Sequence, residues 1–97
     1  MEKLTIVANI EATADQIGTV KAELLKLVEK THAEDEGCIL YTLHQDNENP
    51  AQFVVFENWQ SKALLQQHLD SAHFKACMAA LDGALAGFSV NEMTQIG

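Results

Sequence analysis

The sequence predicts an α+β fold whose elements run in the order βαββαβ. Three observations point there. Short runs rich in β-branched and aromatic residues alternate with amphipathic helical stretches. The two central runs are joined by a turn too short for a crossover, so they form an antiparallel hairpin. Both parities of those central runs are apolar, so the sheet they build has two faces to cover. Ninety-seven residues is the length of one domain, and residues 1–97 are read as such.

Leu4 to Ile10 reads as the first strand. Thr13 is the expected N-cap of the first helix, with Gln16 three residues on as in a capping box. Ile17, Val20, Leu24, Leu27, Val28 and Thr31 then recur at helical spacing, which predicts a helix over 14–33. Glu34-Asp35-Glu36 and Gly37 close it. Cys38 to Gln45 is the second strand, Asp46 to Pro50 a turn by composition, and Gln52 to Trp59 the third strand. Ser61 caps a short helix over 62–69. Asp70-Ser71 interrupts it, and Ser71 caps the next helix, whose stripe is Phe74, Cys77, Met78, Leu81 and Leu85. Phe88 to Ile96 is the last strand.

This order builds a ferredoxin-like four-stranded antiparallel sheet with both helical segments on one face. In the second strand Ile39, Tyr41 and Leu43 alternate with Cys38, Leu40, Thr42 and His44; in the third, Phe53 and Val55 alternate with Val54 and Phe56. The helices cover one of these faces. A second copy, sheet against sheet, is the expected cover for the other, so a homodimer is predicted.

Charge excludes several partners. The net charge of −8 comes from fourteen acids against six lysines, with no arginine. Nucleic acid requires a basic patch for counterion release, and anionic membrane surfaces select for cations in the same way, so neither is expected. Cys38 and Cys77 form no CxxC pair and read as free thiols of a reducing compartment. Met1 to Thr5 carries no basic segment leading into a long apolar stretch, and no apolar run is long enough to span a bilayer. A cytoplasmic protein is expected.

The strongest motifs lie in the middle of the chain. They are Glu36-Gly37-Cys38 at the entry to the second strand, Tyr41 within it, Phe53-Val54-Val55-Phe56-Glu57-Asn58-Trp59, and His68-Leu69-Asp70-Ser71-Ala72-His73-Phe74. This set resembles the antibiotic-biosynthesis-monooxygenase family. The resemblance implies a dimeric α+β barrel with a cavity between sheet and helices in each subunit. It also implies one of three chemistries: oxygenation of phenols and quinols, haem degradation, or processing of a signalling-molecule phosphate. In the haem branch, Asn9 matches the family's asparagine. His68 stands where a tryptophan is found, and Met78 where the axial histidine is found. No haem is therefore expected. The phosphate branch is resembled at Phe74-Lys75-Ala76-Cys77; the missing arginines disfavour tight phosphate binding, although Lys75 could serve.

The phenol and quinol branch implies no flavin, haem or metal, because the substrate supplies its own electrons. Its protein must deprotonate a hydroxyl, hold the anion and admit dioxygen to a dry pocket. Histidine suits the base, and Asn or Trp N–H groups suit the developing oxyanion. The catalytic candidates are His68, His73, Asn9 and Trp59, and the substrate-binding candidates are His44, Glu57, Phe74 and Met78. Bland readings stand beside these. Asn9 and His44 also fit solvent-facing strand ends, Trp59 a core or dimer anchor, Glu57 a dimer contact, and the two histidines helix caps. His68 and His73 are five residues apart across a helix break, not four apart on one face, so no metal site is expected. The predicted function is a cofactor-independent monooxygenase of a small aromatic or quinol molecule. An isomerase or degradation enzyme for a signalling metabolite and a non-catalytic dimeric ligand-binding module remain alternatives.

Overall fold

A computed structural model describes residues 3–97, so Met1 and Glu2, which entered the reading of the N-terminus, lie outside the described residues. The elements are β1 (Leu4–Ala12), α1 (Ile17–Glu34), β2 (Cys38–Gln45), β3 (Gln52–Trp59), α2 (Lys62–Leu69), α3 (Ala72–Leu81) and β4 (Leu85–Met93). The sheet order is β2-β3-β1-β4, antiparallel throughout. This is the predicted ferredoxin-like arrangement.

The core joins Ile6, Ala8, Ile10 and Ala12 of β1 to Val20, Leu24 and Leu27 of α1 and Leu65 of α2. Register extends that face across the sheet. Ile6 pairs with Glu57, Ala8 with Val55 and Ile10 with Phe53, and Tyr41 of β2 pairs with Glu57. Val7, Asn9, Val54, Phe56, Leu40, Thr42 and His44 take the other face by strand alternation. There Leu40 and Met93 are exposed and Val7, Val54 and Phe56 half-buried, an apolar surface turned away from the helices.

Local chemistry explains the connections. Asp46 Oδ2 accepts from the backbone N–H groups of Glu48 (3.0 Å) and Asn49 (2.7 Å), which folds the β2–β3 turn. Ser61 Oγ accepts from Leu64 N–H, and Ser71 Oγ from Phe74 N–H, as an N-cap should. Ser71 also donates to the His68 carbonyl at 2.6 Å, so the break ties the end of α2 to the start of α3.

Two expected boundaries are corrected. Thr13 does not cap α1; Gln16 takes that position without a side-chain bond, and the helix starts at Ile17. The reason is tertiary: Thr13 N–H donates to the Ala84 carbonyl at 2.9 Å, and its hydroxyl to Asp15. β4 runs over Leu85–Met93 and not 88–96. Gly83 turns the chain at φ +81°, so Leu85 can already pair with Ala12. At the far end Met93 pairs with Thr5, where β1 runs out.

Gly37 allows a close approach of α2. It sits at φ +82°, and a Cβ there would lie 2.3 Å from Leu64 Cδ1. Its carbonyl also accepts from Gln60 N–H at 2.9 Å. Together these contacts seat α2 against the turn that follows α1.

Candidate active site

A cavity of about 90 Å³ lies between sheet and helices. Its walls are mostly aliphatic and aromatic, including Ile6, Ala8, Val55, Leu65, Phe74 and Met78; Tyr41, Glu57 and His68 are the polar or ionisable side chains among them. Phe88 and Val90 of β4 also line it, each half exposed at 50%.

His68 sits in the last turn of α2 and is only 1% exposed. Its ring packs against Trp59 (centroids 4.8 Å apart), Phe74 (5.1 Å) and Tyr41 (5.3 Å). Its Nδ1 lies 2.5 Å from Asp35 Oδ2. A carboxylate accepts, so Nδ1 carries the proton and Nε2 keeps its lone pair. Nε2 is buried with no hydrogen-bond partner among the described residues. Burial pushes the His68 pKa down; the hydrogen bond and charge of Asp35 oppose this, and nearby His73 adds to it, leaving a net fall. His68 is therefore a neutral imidazole with a free acceptor at neutral pH.

Asp35 holds the second histidine as well. His73 Nε2, from the first turn of α3, is 2.9 Å from the same Oδ2. Asp35 itself follows α1, with its backbone N–H donating to the Thr31 carbonyl. Sequence reasoning treated Asp35 as part of an acidic helix end. No local pattern connects it to residues 33 and 38 positions away. The donor atoms of Asp35, His68 and His73 lie within 4.8 Å of one another, so these three residues could hold a metal ion. The expectation of no metal site weighed the two histidines without this carboxylate. One oxygen accepting from two imidazoles accounts for the cluster without a cation.

Across the cavity, Glu57 projects from β3 among apolar side chains. Trp59 Nε1–H donates to its Oε1 at 2.9 Å. Burial pushes the carboxyl up to about 7, against the opposing pull of that hydrogen bond. Tyr41, directly across the β2–β3 ladder, is raised above the ordinary phenol value by burial and then by Glu57. Neither Tyr41 nor Asp35 was among the predicted site residues.

The remaining candidates divide by face. His68, Glu57, Phe74 and Met78 border the cavity. Trp59 stands behind it, fully buried, holding Glu57 and stacking near His68. His73 reaches the site through Asp35. Asn9 and His44 are not brought there: each pairs with Val54 and so lies on the far face of the sheet, His44 exposed and bonded to Thr42 at 2.9 Å. Cys77 is packed toward α1, where its thiol meets the Glu23 carbonyl at 3.7 Å, and burial pushes it up to about 11.

Comparison with known proteins accords with this geometry. The sequence model of the family described as antibiotic biosynthesis monooxygenase matches residues 3–80. The chain belongs to that family. Antibiotic biosynthesis monooxygenase family members also stand among its structural relatives. One crystal structure described as an antibiotic biosynthesis monooxygenase is 26% identical, covering 97% of this chain and 99% of its own, with a TM-score of 0.90. A Pseudomonas aeruginosa protein is 27% identical over 100% of this chain and 97% of its own, with a TM-score of 0.94. A conserved protein of Methanosarcina mazei Go1 is 28% identical over 99% and 95%, with a TM-score of 0.89. An uncharacterized protein of Synechocystis sp. is 26% identical over 73 residues; the match takes in 75% of this chain but only 49% of that relative. No helix among the described residues is long and apolar enough to cross a membrane.

Proposed function

We propose that this family member is a cofactor-independent monooxygenase of a small phenol or quinol bound in the sheet–helix cavity. The observation that carries the proposal is the Asp35–His68 pair, which leaves a buried, unpartnered imidazole nitrogen on a residue lining a mostly apolar cavity. His68 Nε2 accepts the substrate hydroxyl proton, while Asp35 fixes the tautomer and stabilises the imidazolium. The resulting phenolate is the electron source, and the apolar walls suit dioxygen. Oxygen adds at the carbon para to the hydroxyl, where the His68 proton completes a hydroperoxide. Loss of water then gives the quinone, so phenol plus dioxygen yields quinone plus water with no outside reductant.

The test is oxygen uptake against a panel of phenols and quinols. One dioxygen consumed per substrate, with one labelled oxygen atom retained in the product, is the expected result. Phenols that bind in the cavity without consuming oxygen would overturn the reading.

The working unit is proposed to be a homodimer joined through the far sheet face, supported by exposed Leu40 and Met93 beside Val7, Val54 and Phe56. Obligate interfaces of this kind are large and apolar. Sedimentation at micromolar concentration should give twice the chain mass; a monomer there removes the argument. Two free thiols, Cys38 and Cys77, support a reducing compartment such as the cytoplasm.

A further inference from the structure

His68 can start the reaction, but a second proton event remains without a donor. When the O–O bond of the hydroperoxide breaks, the departing oxygen must be protonated to leave as water. The base cannot serve, because at that moment it must remove the hydrogen from the oxygenated carbon. We propose that Glu57 is the proton donor of this second step, giving the proton on its carboxyl to the oxygen that leaves. This rests on the oxygenase reading above and deepens it.

The geometry is specific. Glu57 and His68 border the same cavity, one from the sheet and one from α2. Both are set by one indole: Trp59 donates to Glu57 Oε1 at 2.9 Å and lies 4.8 Å, centroid to centroid, from the His68 ring. With Oε1 occupied, Oε2 is the oxygen that carries the proton. No lysine is paired with Glu57 among the described residues; the lysine pairs are with Glu23, Glu34 and Glu92. An apolar wall with a single N–H donor favours the protonated carboxyl, in keeping with its raised pKa.

The ionisable neighbours do not offer a substitute. Tyr41 faces Glu57 from β2 and holds its proton more tightly than an ordinary phenol. Cys38, also on β2, is pushed up to about 11, first by burial and then by Glu57. His68 is the titratable group on the α2 wall, and its surroundings favour the neutral form. From α1 and α3 the cavity is met by Leu24, Leu27, Phe74 and Met78, which carry no proton to give. Burial favours the neutral form of both groups, which puts a protonated carboxyl and an unprotonated imidazole on one site.

The step balances. His68 takes the C–H proton, the C–H electron pair becomes the second bond of the new carbonyl, and the O–O bond breaks. The distal oxygen leaves as water with the Glu57 proton; the carbon is oxidised and the peroxide reduced. The His68 proton then returns to the Glu57 carboxylate, restoring both groups.

Glu57→Gln tests the role with little change of shape, since the amide oxygen can still accept from Trp59. Anaerobic mixing with a phenol substrate reads the first proton transfer as the phenolate absorption band. An oxygen pulse then reads hydroperoxide and quinone. The variant should form phenolate at the wild-type rate and take up oxygen. Quinone formation should slow by about 100-fold or more, with hydroperoxide accumulating or escaping as hydrogen peroxide. Glu57→Asp, which keeps a carboxyl, should recover part of the rate. Wild-type quinone formation in Glu57→Gln overturns this role alone, as does loss of phenolate formation. Wild-type protein that consumes no oxygen overturns the oxygenase reading and this role with it.

Discussion

Replacing His68 by Ala is expected to lower turnover on a phenol substrate by about 100-fold or more, the usual cost of losing a positioned general base. The substrate should still bind, because the apolar walls remain, so the loss should fall mainly in kcat. His73→Ala is the matched comparison. It removes one of the two donors to Asp35 but leaves the Asp35–His68 bond, and a smaller loss is expected. Circular dichroism and sedimentation must show both variants folded and in the wild-type assembly. Full activity in His68→Ala eliminates the assignment, and loss confined to His73→Ala transfers it. The acid limb gives a second reading. Since burial lowers the His68 pKa, activity should persist below the ordinary histidine value of 6.5, where a solvated imidazole would already be protonated. Asp35→Asn removes the charge that opposes burial, so its acid limb should lie lower still.

Glu57→Gln is expected to stabilise the folded chain, and to do so only on the alkaline side. The carboxyl is raised from 4.5 to about 7 in the fold. Below the lower value it is protonated in both folded and unfolded chains and contributes no pH dependence. Between the two values the unfolded chain releases its proton and the folded one keeps it, so wild-type stability falls as pH rises. Above about 7 both forms are ionised, and the accumulated loss levels off at about 3 kcal/mol. Glutamine has no such slope. Urea unfolding should therefore give similar midpoints for wild type and variant at pH 4 and a higher midpoint for the variant at pH 8. A difference independent of pH would show that Glu57 ionises in the fold as it does in water.

Such a carboxyl is tolerated at a cost in stability, which is how residues serving chemistry depart from residues serving packing. The division also explains what could be read in advance. Alternation of Phe53 and Val55 with Val54 and Phe56 showed a two-faced strand, and Ser61 and Ser71 showed where helices begin, because both signals are local. Thr13 carried an equally good local signal, yet its backbone is captured by Ala84, 71 residues away in sequence. Asp35 failed for the same reason: what makes it part of the site is the packing of α2 on Gly37, not any spacing around it. Asn9 and His44 were chosen for residue type, and strand parity places both on the far face. Ile6, Ala8 and Ile10 would have assigned Asn9 to the far face had the helix-facing side of β1 been fixed first.

The Cys77 thiol makes an internal clock. It is buried between α3 and α1, 4% exposed, and its pKa is pushed up to about 11, so a thiol-reactive reagent finds almost no thiolate and little exposed sulfur. Modification at neutral pH has to wait for α3 to lift away. Once the half-buried Cys38 is replaced by Ser, the remaining labelling rate counts those openings directly. A ligand that bridges Phe74 and Met78 to the sheet would slow the clock, and its affinity could be read before any turnover is known.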